Sequence, residues 1–183
     1  MPKMPLICLV LLLGSGPVAA QGFRGDVHAG LDSLHADGDS QQGVTYGLSL
    51  SYDLARSGTL LGVQTDLDAT DNRSCESGVL VAGDRACIAG KRDTALSLRL
   101  GRAIGGTATV LATVGYANAR LEARYEGAGI RTTDHETLNG IRLGVQLAAD
   151  IGRRLYAKIE YRYTNYEQGV SRNQGLAGLG LRF

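Results

Sequence analysis

With 183 residues the chain is sized for one domain, and no stretch of it looks like a linker or a low-complexity tract. Its 19 Lys and Arg side chains face 18 Asp and Glu, a near balance without the basic excess of a nucleic-acid binder. The 26 glycines, the lack of tryptophan and the absence of proline after Pro17 favour a continuous sheet with tight turns.

Residues 1–20 read as an address and not as fold. Lys3 supplies a positive start, residues 6–13 are an apolar run, and Val18-Ala19-Ala20 puts small residues at a cleavage site. The run is too short to span a bilayer as a helix, and no later run approaches the roughly 20 residues needed. Cys8 lies within the apolar run without a lipidation motif. Cleavage is expected after Ala20, which leaves residues 21–183 as the folded domain with 18 basic and 18 acidic side chains.

That domain alternates apolar and polar residues, the period of a strand with two unlike faces. The first segment sets Phe23, Val27, Ala29 and Leu31 against Arg24, Asp26, His28 and Asp32. The second sets Val44, Tyr46, Leu48, Leu50, Tyr52 and Leu54 against Thr45, Ser49, Ser51 and Asp53. The third sets Leu61, Val63 and Leu67 against Gln64, Asp66 and Asp68, and a long polar connection is expected over residues 70–91. The fourth sets Leu96, Leu98 and Leu100 against Asp93, Ser97 and Arg99. In the fifth, Val110, Ala112, Val114 and Tyr116 form one stripe before the phase switches to Ala119, Leu121, Ala123 and Tyr125. A one-residue slip at 116–118 predicts a β-bulge or a strand leaving the bilayer. A second sizeable loop is expected over 127–137. The sixth segment opposes Ile141, Leu143, Val145 and Leu147 to Arg142 and Gln146, and the seventh opposes Ile159, Tyr161 and Tyr163 to Lys158, Glu160 and Arg162. A polar loop over 167–173 precedes the last segment, Ala177, Leu179, Leu181 and Phe183.

Eight segments are an even number, with longer loops after the odd ones and short turns after the even ones. Bacterial outer-membrane barrels have that asymmetry. The expected fold is therefore all-β: an eight-stranded antiparallel up-and-down transmembrane β-barrel. An eight-stranded barrel has an interior just wide enough to be filled by side chains. The charged stripes are assigned to that lumen, where Asp26, Arg99, Arg142, Lys158, Glu160 and Arg162 are expected to form a paired network. The apolar stripes face lipid, with Tyr46, Tyr52, Tyr116, Tyr161 and Tyr163 as an aromatic girdle. A soluble lipocalin-like barrel or a sandwich is the alternative.

The terminal alternation Leu179, Leu181, Phe183 resembles the C-terminal signature that the barrel-assembly machinery reads. Together with Tyr161-Arg162-Tyr163, the segment 115–120 and the glycine-rich close at 175–183, it resembles the opacity-type and OmpA-like barrels over most of residues 21–183. The resemblance implies an outer-membrane location, with passage through periplasmic chaperones and the assembly machinery. It also implies contact with outer-membrane lipid and lipopolysaccharide. No peptidoglycan-binding domain follows the last segment in this sequence.

Cys75 and Cys87, an even pair in an exported chain, are expected to form a disulfide closing 13 residues. Asp66, Asp68, Asp71 and Asn72 lack the spacing of a Ca²⁺ loop and are read as a solvated strand end. His28, His35 and His135 have no nucleophile at a spacing that suggests catalysis, and His135-Glu136 has no second histidine for a zinc motif. No cofactor or metal is expected. The expected function is structural or surface interaction, through an extracellular ligand held by the outer loops. A narrow channel for small solutes is the alternative, and a lipid A-modifying enzyme is a third reading.

Overall fold

A computed structural model describes residues 21–36, 39–71, 73–78, 84–127 and 130–183. The expected signal peptide, residues 1–20, lies outside the described residues. Nine strands make up almost all of the described chain: β1 (Gln21–Ala36), β2 (Asp39–Arg56), β3 (Thr59–Thr70), β4 (Arg73–Ser77), β5 (Arg85–Ile104), β6 (Ala108–Gly127), β7 (Ile130–Asp150), β8 (Leu155–Tyr166) and β9 (Ser171–Arg182). Each pairs antiparallel with its neighbours, and β3 and β4 both pair with β5, so together they form a single stave. The sheet closes where β1 meets β9, from Arg24 opposite Arg182 to His35 opposite Ser171. The result is a closed barrel of eight staves whose wall has no free edge below the outer extensions of β4 and β7, the form a sheet needs to cross hydrocarbon.

One end carries short turns. Ser57 and Gly58 both take positive φ, the two-residue hairpin turn whose twist suits its flanking strands. The other end carries long extensions. β4, β5, β6 and β7 run on well past the rest of the wall as a paddle, tied by the Cys75–Cys87 disulfide across a directly opposed pair. Short turns mark the periplasmic end and long ones the outer end.

Several sequence expectations change here. Residues 70–91 are mostly paired: β3 runs to Thr70, β4 fills 73–77 and β5 begins at Arg85. Much of 127–137 belongs to β7, which starts at Ile130. Neither stretch alternates apolar with polar residues: 73–77 and 131–137 are mostly polar and 86–90 is small and apolar throughout, which hides the strands while leaving backbone pairing intact. No bulge occurs at 116–118, because β6 keeps unbroken register with β7 throughout. The register shift lies on β5 between Gly90 and Arg92, making Lys91 the extra residue. The switch of phase in β6 marks the strand leaving the bilayer. Above Tyr116 the outward positions become Asn118, Arg120, Glu122 and Arg124, while Ala117, Ala119 and Leu121 point inward.

The two faces of the wall are inverted relative to a soluble barrel. Leu31 is 74% exposed and Leu96 66%, whereas Arg162 is 0%. Tyr46, Tyr116, Tyr161 and Tyr163 stand outward near the outer end of this apolar band. At the periplasmic end, Phe23 and Tyr52 pack with ring centroids 4.9 Å apart beside the outward-facing Phe183.

Candidate functional site

The largest concentration of ordered polar chemistry is the lumen. It is stacked in tiers because every second residue of each strand points inward. At the periplasmic tier, Asp53 lies 3.0 Å from Arg24 Nε and 3.2 Å from Arg99 Nε. Arg99 also donates to Gln64 at 3.0 Å. The Tyr156 ring fills the space beside them, under the guanidinium groups of Arg24 and Arg182. Gly180 opposite Tyr156 makes that possible, since a Cβ there would clash with the ring. Leu60, Leu111 and Ala148 close this tier around Tyr156.

The middle tier is ionic. Lys158 Nζ sits 2.6 Å from Asp26 and 3.2 Å from Glu160. Arg162 donates to Glu160 at 2.8 Å, to Asp68 at 2.9 Å and to Asp66 at 3.0 Å. His28 bridges Asp68, at 2.7 Å, and Asp26, at 3.2 Å, through its two ring nitrogens. Burial of such charges is tolerated only when each is paired and hydrogen-bonded.

Above this, Arg142 donates to Asp93 at 2.5 Å and to Thr164 at 3.0 Å. Arg172 joins Asp93 to Asp32, donating at 2.6 Å and 2.8 Å. The Tyr166 hydroxyl donates to Asp93 at 2.7 Å. The ring of Tyr166 then meets Ala95, Ala117, Ala119 and Leu138, with Leu121 and Val170 packed against them, as an apolar lid at the outer mouth. Gly140 lies directly opposite Tyr166 and leaves room for its ring.

The six residues assigned to the lumen by alternation all point inward, but not into one cluster. Asp26, Lys158, Glu160 and Arg162 meet in the middle tier. Arg99 belongs to the periplasmic tier and Arg142 to the outer one, where it reaches Asp68 at 3.7 Å. Asp66 and Asp68 are correctly placed by their polar stripe and not by the solvated strand end read from their clustering: both are buried and receive Arg162. Arg172 was missed because it falls in the stretch read as the 167–173 loop. The stripe Arg172, Gln174, Leu176 is continuous with Gly178, Gly180 and Arg182, and that parity was the available signal. Leu179, Leu181 and Phe183 face outward at the end of β9.

The paddle holds a second group of polar side chains. Arg85, Arg124, Arg131, Glu122 and Glu126 line a cavity of about 270 Å³ next to the disulfide. Arg124 pairs with Glu122 at 3.0 Å, and Arg131 pairs with Glu126. On the opposite face the Tyr125 phenol donates to Asp84 at 2.9 Å, and that carboxylate raises the phenol's pKa above its usual value. Among the described residues, no three His, Cys, Asp or Glu side chains gather as a metal site.

The sequence matches the model of the outer membrane protein beta-barrel domain over residues 6–183. The chain belongs to that family. This outer-membrane barrel finds no match among curated proteins. Its fold is shared with solved structures at low identity. Ail, the attachment invasion locus protein of Yersinia pestis, crystallised with the heparin analogue sucrose octasulfate, aligns with a TM-score of 0.63 and 12% identity. The alignment covers 90% of this chain and 100% of Ail. Neisserial surface protein A aligns with a TM-score of 0.56 and 13% identity over 88% of this chain and 97% of that one. The N-terminal barrel of Pseudomonas aeruginosa OprF aligns with a TM-score of 0.51 and 13% identity over 90% and 100%. The outer-membrane barrel therefore resides in the bacterial outer membrane, with its leucine stripes against acyl chains.

Proposed function

We propose that the protein is a non-enzymatic barrel whose lumen is closed to solutes and whose work is done by what it displays outside the membrane. One observation carries this reading: guanidinium groups and their carboxylates fill three successive tiers of the lumen, Arg99 on Asp53, Arg162 on Asp66 and Asp68, then Arg142 and Arg172 on Asp93, beneath an apolar lid. A solute crossing would have to break buried ion pairs, at a cost of several kcal/mol for each charge left alone. The extended β4–β5 and β6–β7 hairpins are then the interacting part. Their cavity presents three arginines and two glutamates, a lining with a positive excess that suits an anionic ligand. Ail was crystallised with a polyanion, and contact with an extracellular anionic ligand is part of this reading. Lipopolysaccharide and lipid surround the wall. Leu179, Leu181 and Phe183 serve as the assembly signal, and residues 1–20 are removed on export, so that the mature chain starts at Gln21.

Planar-bilayer recording of the purified protein tests this. The expected result is no stable unitary conductance; steady openings would replace the closed barrel with the narrow-channel reading. A change in lipid A mass on expression would instead favour an enzyme.

A further inference from the structure

The outward faces of the staves just beyond the apolar band are not alike. On β7, β8 and β9 the band gives way to Asn139, Asn165 and Asn173, all neutral. On β5 and β6 the first outward positions, Thr94 and Asn118, are neutral as well, but the second are Arg92 and Arg120, cross-strand partners in the ladder, where β7 and β9 carry Thr137 and Ser171. Like charges directly opposite each other destabilise a sheet. Neither arginine has an ion-pair or hydrogen-bond partner among the described residues. The nearby carboxylate of Glu122 is already taken by Arg124 at 3.0 Å and Lys91 at 3.6 Å. The register shift on β5 adds to the concentration of charge, since Lys91 is the inserted residue. The feature is thus a cationic sector on one side of the barrel, in which neither arginine forms an ion pair among the described residues.

Height along the wall says what would neutralise this sector. Arg120 follows Tyr116 by two outward positions and Arg92 precedes Leu96 by two, the register being Tyr116–Leu96, Thr94–Asn118, Arg92–Arg120. Four residues advance about 13 Å along a strand, or roughly 10 Å along the membrane normal at the usual tilt. The polar headgroup layer lies within about 5–8 Å of the hydrocarbon, and arginine side chains reach back to it along their stems. Phosphate is the group at that level which accepts two parallel N–H bonds from a guanidinium.

We infer that Arg92 and Arg120 form a clasp for a phosphate on the glycolipid headgroup of the outer leaflet, with Lys91 as an auxiliary cation. The clasp fixes one phosphorylated lipid to the β5–β6 side of the barrel, below the paddle. This inference rests on the protein's membrane placement and not on a closed lumen or a paddle ligand, so failure of either leaves it standing.

The test compares the full barrel with R92Q/R120Q and with R56Q/R102Q, which removes exposed arginines at the periplasmic rim. Each is reconstituted into nanodiscs of phosphatidylethanolamine doped with lipid A carrying both phosphates, or with lipid A stripped of phosphate. Retention of lipid A is measured by mass spectrometry after detergent exchange. The parent and R56Q/R102Q retain phosphorylated lipid A; R92Q/R120Q retains roughly tenfold less. No variant retains the dephosphorylated form, and inorganic phosphate in millimolar excess does not displace the bound lipid. Slower gel migration of every sample after boiling verifies that all three variants are folded. Equal retention by R92Q/R120Q and the parent, or equal retention of both lipids, overturns the inference. Displacement by inorganic phosphate overturns the assignment to a lipid headgroup.

Discussion

Inside the bilayer and above it, the same strands follow different rules. In the membrane each strand is two-faced, apolar toward lipid and mostly polar or charged toward the lumen, because acyl chains do not tolerate the charges that the lumen pairs with one another. In the paddle the outward face is no longer apolar, and the ladder is held by backbone pairing, one disulfide and exposed ion pairs. Order in the first region comes from the solvent on either side of the wall; in the second it comes from the chain itself. The first should therefore be sensitive to single charges, and the second to cross-links.

The largest effect is expected for Arg162→Met. It leaves Glu160, Asp66 and Asp68 short of their shared cation, a loss of roughly 3–5 kcal/mol. Urea titration of the micelle-refolded barrel, followed by heat-shifted gel mobility, should show a much lower midpoint, or no folded species. Leu98→Arg places a charge on the lipid face near mid-membrane and should cost roughly 2–4 kcal/mol in the same titration. A Leu98→Arg midpoint equal to the parent's would break the comparison from its lipid side.

Cys75→Ser with Cys87→Ser should leave the barrel's own unfolding in place. Loop-closure entropy of roughly 3 kcal/mol is lost from the paddle alone, so limited proteolysis should cut the β4–β5 hairpin much faster while the core fragment persists. The smallest effect is expected at Tyr125. The Asp84 carboxylate holds this phenol protonated past its ordinary titration, so the unfolded chain ionises first as pH rises. The contact contributes in full below pH about 10 and is lost above it. Paddle proteolysis of Tyr125→Phe should equal the parent's in strong alkali and exceed it slightly at neutral pH.

The membrane region was legible in the sequence because period two is written there by solvent. Stripes such as Leu96, Leu98, Leu100 against Ser97 and Arg99 leave a single arrangement once one face is assigned to lipid. What stayed hidden follows from the same cause. Above Tyr116 the outward face is no longer apolar, so the first residues of β5 and β7 lack the alternation of a membrane strand and looked like loops. The polarity switch in β6 left a bulge and an exit from the membrane as alternatives, and the unbroken register with β7 selects the exit. The lumen's tiers were also out of reach, since alternation places Arg99 and Arg142 inside without saying which carboxylates they meet. That pairing depends on barrel register, and Asp66 and Asp68 find Arg162 across a separation of more than ninety residues in sequence.

The account stands or falls on which face meets acyl chains. The protein has no tryptophan of its own, so Leu98→Trp, Val27→Trp and Ile159→Trp each provide a single fluorophore on a different stave. In bilayers of lipid brominated deep in the acyl chain, all three should be strongly quenched and emit in the blue. Red-shifted emission, unaffected by brominated lipid and quenched by aqueous iodide, would contradict the inverted barrel.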